Sequence, residues 1–228
     1  MIMERTDLIC MWIAELIPLS ATIFSFIFGL CKFFKRGTPL FLQSITMAMG
    51  CHALGSVYHL CLTLTNEMVF DGFTPAYLGR IGFFLFFIVA TYGQMDRIID
   101  DGTPQARPSR YIALIAPLCA ALLYLPNAMI DDLPVSTKIS VLLVWLPAMI
   151  SVYFHLKHAI LPDRDFGFLK AIKPYNGLSL GLGFAELLCL TAWDYAYPIP
   201  MAVTSLVFGV LCVCTMVFAR KGVEKWTI

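Results

Sequence analysis

Charge is scarce in this chain: 14% of its 228 residues are Asp, Glu, Lys or Arg, while 59% are apolar and the mean hydropathy is +0.79. A soluble domain carries about 25% charged residues, so water is not the main solvent of this fold. Familiar catalytic and cofactor signatures are missing as well. There is no HExxH, Walker A or GxGxxG motif, and none of the eight cysteines forms a CxxC pair, which removes the usual sequence grounds for a zincin, a P-loop or a dinucleotide fold. Long hydrophilic stretches are also lacking. Connectors such as Trp193–Pro200 have no room for a soluble catalytic or DNA-binding domain, so any activity belongs to a helix bundle or its rims. The last apolar run, 199–219, has no lysine, which excludes a retinal Schiff base in that helix.

What the chain does have is apolar runs of membrane-spanning length. A hydrocarbon core about 30 Å thick takes roughly 20 residues of helix, and the pattern predicts seven spans, at 8–33, 39–64, 77–95, 111–130, 138–160, 176–195 and 199–219. The expected fold is all-α, one transmembrane domain over 1–228. The leader MIMERTD carries no basic n-region, so the first run is expected to stay as span 1 rather than act as a cleaved signal. Three Lys and Arg (Arg5, Arg80, Lys138) fall on one side of these spans and thirteen on the other. Basic connectors are retained in the cytoplasm, which predicts an N-terminus outside, a C-terminus inside, and a location in the plasma membrane. The basic face would meet anionic lipid headgroups, not nucleic acid. A signalling role would need a separate protein partner, docked on the basic connectors 97–110 and 157–173.

Packing residues follow. Gly177, Gly181 and Ala185 recur every four residues in span 6, with Gly183 beside them, and such a stripe predicts close helix approach. Pro18, Pro117, Pro126 and Pro147 fall in or near spans, where each removes a backbone donor. The cysteines read as small apolar packing residues. Trp12, Trp193, Tyr195 and Tyr197 read as interfacial anchors.

Ionisable groups at bilayer depth are costly, by about 2.5–3.5 kcal/mol or more on insertion scales, so each one retained invites explanation. His52, Ser56, His59 and Thr63 fall at i, i+4, i+7 and i+11 on span 2, one stripe of one helix. Glu15 on span 1, Glu186 on span 6, Arg80 at the start of span 3 and Asp194 at the end of span 6 reach the outer half of the bilayer or its rim. Structural roles compete for each: interhelical hydrogen bonds for the histidines, headgroup contact for Arg80 and Asp194.

Three chemistries can use Glu15, His52, Ser56, His59, Glu186 and Arg80. A carboxylate and an imidazole in contact can pass a proton. A polar pocket can hold a small molecule or ion as a transport or receptor ligand. His59, Glu15 and Glu186 can contribute to a Zn²⁺ site for lipid hydrolysis, although His52 and His59 lie about 10 Å apart along the axis and cannot easily share one ion. Span 2 reads S-x₇-H-x₃-S-x₂-H from Ser44, an order similar to the Ser and His of membrane-embedded ceramidase-like and progestin-receptor-like hydrolases. Span 7 lacks the HxxxH of that family, so no residue role is transferred.

At the cytoplasmic rim, Asp96 and Asp100 at i, i+4, followed by Asp101, form a secondary candidate for Mg²⁺ on a diphosphate, with a mixed, solvated rim as the competing reading. His155 and His158 share a face of span 5 beside Lys157, where headgroup contact competes with metal binding and pH sensing. The expected function is therefore ligand or ion binding in the outer half of the bundle, as a transporter or partner-dependent receptor, with a membrane-embedded, metal-dependent lipid enzyme as the alternative. Neither the cofactor nor the ligand is named by any motif.

Overall fold

The computed structural model describes residues 5–65, 73–96, 100, 102, 104–130, 133–162, 168–194 and 197–226. The described residues are helical apart from short turns. They form α1 (Arg5–Phe33), α2 (Leu40–Leu64), α3 (Pro75–Ile88), α4 (Arg107–Ala113), α5 (Ile115–Ala128), α6 (Val135–Ile160), α7 (Phe168–Asp194) and α8 (Pro198–Trp226). A π-helical segment, Val89–Asp96, continues α3, and a 3₁₀ turn, Pro104–Ala106, leads into α4.

Proline sets several of these boundaries. Pro39 and Pro134 stand immediately before α2 and α6, and Pro75 and Pro198 open α3 and α8. At a first turn the missing N–H is one that the helix leaves unpaired in any case. Gly37, at φ +86°, turns the chain between α1 and α2, a backbone region that favours glycine. The fourth predicted span is broken in two at Leu114. Pro117 has no N–H to donate to the Ala113 carbonyl four residues earlier, so the ladder is interrupted at that point.

Six helical stretches are long and apolar enough to cross a membrane: Thr6–Phe33, Leu40–Leu64, Pro75–Gly93, Arg107–Ala128, Val135–Ile160 and Pro198–Glu224. Helix α7 has 27 residues, long enough to cross, but Asn176, Ser179 and Glu186 make it less apolar, and all three are buried in the bundle. The molecule is an integral membrane helix bundle. In place of a water-facing polar surface it presents apolar side chains outward, such as Leu118, Leu122 and Leu125 on α5.

The helices pack as a ring in the order α1, α2, α3, α6, α7, α8, closed by contact of α8 with α1, while α5 lies outside against α6 and α7. Trp145 fastens α5 to α6 by donating from Nε1 to the Ala120 carbonyl at 2.8 Å. Inside the ring lie Phe83, Phe84, Tyr175 and Phe208, all fully buried.

The glycine stripe expected on span 6 does not make the tightest contact. A Cβ at Gly177 would meet nothing within 4 Å, and one at Gly181 would be in ordinary contact with Leu211. The closest backbone approach joins α2 to α3 instead. There a Cβ on Gly79 would lie 2.6 Å from both the Cys51 carbonyl oxygen and the Gly55 Cα. These two glycines are on different helices, so no single-helix repeat announces them. Gly183 does meet the expectation, since its Cβ would stand 2.9 Å from Val152 Cγ1 on α6. The cysteines divide: Cys189 and Cys212 are buried, whereas Cys31, Cys61 and Cys119 are exposed on the outside of the bundle.

Candidate functional site

At the end of the ring where α1 begins, here the upper end, one small cavity is lined by Glu15, His52, Ser56, His59, Arg80 and Glu186, together with Trp193 and Ser205. All six residues singled out from the sequence meet there. The cavity has a volume of about 20 Å³, room for about one water molecule.

Glu186 is its centre. One carboxylate oxygen accepts a hydrogen bond from Arg80 Nε at 2.8 Å, and the other lies 3.1 Å from His52 Nε2. Because a carboxylate can only accept, His52 presents Nε2–H to it, which leaves Nδ1 as the acceptor for the Ser56 hydroxyl at 3.2 Å. The His52 ring is stacked on Phe208 and edge-on to Phe83, so its orientation is fixed by packing as well as by hydrogen bonds. Both His52 and Glu186 have side chains 2% exposed. A carboxylate so buried is sustained only where charge and hydrogen bonds compensate its lost hydration, and removing one partner of such a pair costs about 3–5 kcal/mol.

A second pair sits nearer the rim. His59 Nδ1 lies 2.8 Å from Glu15 Oε1, and Thr63 Oγ1 donates to the same oxygen at 3.0 Å. The His59 side chain is 25% exposed and that of Glu15 only 4%. Trp193 covers His59 edge-on, with centroids 5.0 Å apart. The stripe read on α2 thus serves both carboxylates: His52 and Ser56 on the Glu186 side, His59 and Thr63 on the Glu15 side.

Two expectations are corrected by this geometry. Arg80 is not spent on headgroups, since its guanidinium reaches across the ring to Glu186. Trp193 is more than an interfacial anchor, because it packs on a site histidine. The side chain of Asp194, together with Tyr195, lies outside the described residues.

At the opposite, basic end, the Asp96 and Asp100 carboxylates are already occupied. Lys157 bridges them, lying against Asp96 and donating to Asp100 at 3.1 Å. His158 Nε2 lies 2.9 Å from Asp96. Arg110 grips Asp100 with two donors, one of them Nε at 2.8 Å. This is an ion-pair network in which both carboxylates have cationic partners from α4 and α6. Asp101 lies outside the described residues. The hydrogen bond from Arg110 holds the Asp100 carboxyl well below the usual carboxylate range against its burial, with help from Lys157 and the Gly102 N–H. Burial pushes the Asp96 carboxyl up, but hydrogen bonds from His158 and Lys157 outweigh it and leave it lowered.

His155 and His158 are fully buried, not at the headgroups. His155 Nδ1 lies 3.2 Å from Asn176 Oδ1 on α7. The reading of Lys157 as a surface cation also fails, because its side chain is 4% exposed. Sequence reasoning missed Lys157, Tyr175 and Asn176 as site elements. One signal was available for α7: Tyr175, Ser179, Leu182 and Glu186 fall at i, i+4, i+7 and i+11, the same stripe pattern noticed on span 2.

Among the described residues no group of three or more His, Cys, Asp and Glu side chains is placed to hold a metal ion. His59 and Glu15 form one pair and Glu186 belongs to another, so these candidate ligands do not converge. Compared with known proteins, the chain matches no family model, no curated protein and no solved structure.

Proposed function

We propose that the chain is a seven-span bundle of the plasma membrane, N-terminus outside and C-terminus inside, whose outer-half site exchanges a proton for a small monovalent cation as the binding site of a proton-linked transporter. The observation carrying this reading is the single cavity shared by all six polar residues. Its lining contains two carboxylates, Glu15 and Glu186, and one fixed cation, Arg80. With both histidines neutral, that inventory is one negative charge in excess. Inside a low-dielectric bundle an uncompensated charge is strongly disfavoured, so one more positive charge completes the site: a proton shared by His59 and Glu15, or a cation that replaces it. Competition between the two is the coupling. The volume suits an ion or a water, while a larger solute would require the helices to part.

The test is proton release from purified protein in weakly buffered detergent on addition of Na⁺, K⁺ or methylammonium. About one proton per chain is expected, and none from Glu15→Gln. Absence of release with all three cations, together with unchanged behaviour of Glu15→Gln and Glu186→Gln, would sink the exchange site.

A second reading rests on a different contact. Ser56, His52 and Glu186 form a hydroxyl–imidazole–carboxylate chain, the order used to activate a serine nucleophile. A lipid ester hydrolase would lose turnover in Ser56→Ala with folding intact, whereas the exchange site would retain proton release in that variant.

A further inference from the structure

Below the outer site, the lower half of the ring holds buried polar atoms whose partners are incomplete. Asn176 is oriented by its own amide, because Nδ2 donates to the Ile172 carbonyl at 3.3 Å. That turns Oδ1 toward His155. Oδ1 can only accept, so His155 carries its proton on Nδ1, and Nε2 is left as a bare acceptor with no partner among the described residues. His158 repeats the arrangement one turn on. Its Nε2 donates to Asp96, and its Nδ1 is buried without a partner.

Two imidazoles at i, i+3 on α6 are close neighbours. Each is locked by an acceptor into the tautomer that leaves a basic nitrogen free. On the neighbouring α7 face, His155 lies edge-on to Tyr175, with ring centroids 5.7 Å apart. The Tyr175 hydroxyl faces Ser179, one turn along, and neither has another partner among the described residues. Ser179 is seven residues from Glu186, about 10 Å along the same stripe, with Leu182 between them. The charged and titratable groups facing the two histidines are Tyr175 from α7, Asp96 from the π-helical segment, Asp100 from the connector after it, and Lys157 from α6 itself.

Purely structural histidines would use both ring nitrogens or turn the free one to solvent, since buried polar groups are nearly always paired. Here the free nitrogens of His155 and His158 and the hydroxyls of Tyr175 and Ser179 fall between the outer carboxylate and the basic end, apart from the other unpartnered buried side chains, Asn127 on α5 and Thr215 on α8. We propose that His155 and His158, with the Tyr175 and Ser179 hydroxyls above them and Asp96 below, form the inner arm of a proton pathway whose outer arm ends at Glu186. The pathway rests on the proton-exchanging outer site.

A proton arriving by way of the hydroxyls binds His155 Nε2 and makes an imidazolium. It passes to Nδ1 of His158, and the Nε2 proton of His158 leaves to Asp96. One proton enters and one leaves, with no change of oxidation state, and His158 regains its first tautomer when its ring turns over. Leu182 and the Phe83 and Phe208 rings form the apolar layer between the arms. A proton crosses it on a transient water file, which the closely packed helices admit only intermittently.

The experiment is proton uptake into phospholipid vesicles holding the full-length protein, driven by a K⁺ gradient with valinomycin and read with an entrapped pH dye. Uptake about tenfold above protein-free vesicles is expected with no other solute, falling to background in His155→Phe, whose ring preserves the edge contacts with Phe87 and Tyr175. Should that variant not fold, Tyr175→Phe removes only a hydroxyl and is expected to slow uptake severalfold. Uptake at the protein-free level in the native protein, or full uptake in both variants, overturns the pathway. Proton release at the outer site decides where such a failure lies: release retained without uptake removes the inner arm alone, and loss of both removes the outer site as well.

Discussion

His52 and Glu186 stand 134 positions apart in the chain and meet at 3.1 Å inside the bundle. Arg80 holds the other carboxylate oxygen, so three helices, α2, α3 and α7, are tied at one buried point. Replacing Glu186 by Gln leaves Arg80 facing a neutral amide. A loss of about 3 kcal/mol is expected from breaking a buried pair on one side, measured as a lowered unfolding midpoint. The double variant Glu186→Gln/Arg80→Met should recover part of that loss, because the stranded cation is gone. No recovery would show that the two side chains are not coupled.

Glu15 sits closer to the rim, and its partner His59 is partly exposed. Glu15→Gln is therefore expected to cost less than Glu186→Gln, about 1–2 kcal/mol, in line with losing one charge-assisted hydrogen bond. If the two variants are equally destabilised, the ranking by burial is wrong.

Close approach of α2 and α3 makes Gly79 intolerant of a side chain. A methyl group there would press on backbone atoms of Cys51 and Gly55, which cannot rotate away, so Gly79→Ala is expected to cost about 1–3 kcal/mol or more. Gly177→Ala meets open space and should be neutral or stabilising by up to about 1 kcal/mol from helix propensity. Thermal melts of the pair at a fixed scan rate check this, and the opposite order would refute the contact.

The Asp96 and Asp100 carboxyls are held below their ordinary range. For a carboxylate lowered on folding, the unfolded chain binds the extra proton, so its stabilisation is present above about pH 4 and fades as the pH falls below that value. Unfolding midpoints taken between pH 6 and about pH 2 should therefore drop at the acid end. Asp100→Asn should start lower at neutral pH and lose less on acidification. Parallel curves for the two proteins would rule out the Arg110 pair as the source.

Orientation is open to labelling. Thr65 ends α2 at the upper end, and Lys35 lies in the turn after α1 at the other; both are exposed. In intact cells a membrane-impermeant maleimide should modify Thr65→Cys and spare Lys35→Cys in a background without the native cysteines. The reverse pattern would invert the bundle.

The helical membrane class and the polar residues were legible in the linear chain because they depend on local quantities. Apolar run length decides what can cross a bilayer, and a spacing of i, i+4, i+7, i+11 puts His52, Ser56, His59 and Thr63 on one face whatever lies opposite. Local reasoning also chose residues that share one cavity, since an ionisable group in an apolar run needs a partner and there were few to choose from. Partnership itself came from the tertiary structure. Whether Arg80 reached lipid or Glu186, and whether Lys157 faced headgroups or bridged Asp96 and Asp100, depended on how each helix is rotated and which neighbour it meets. Gly55 and Gly79 became the closest approach of two backbones for the same reason: close packing is a property of two surfaces, and a single helix carries only one of them.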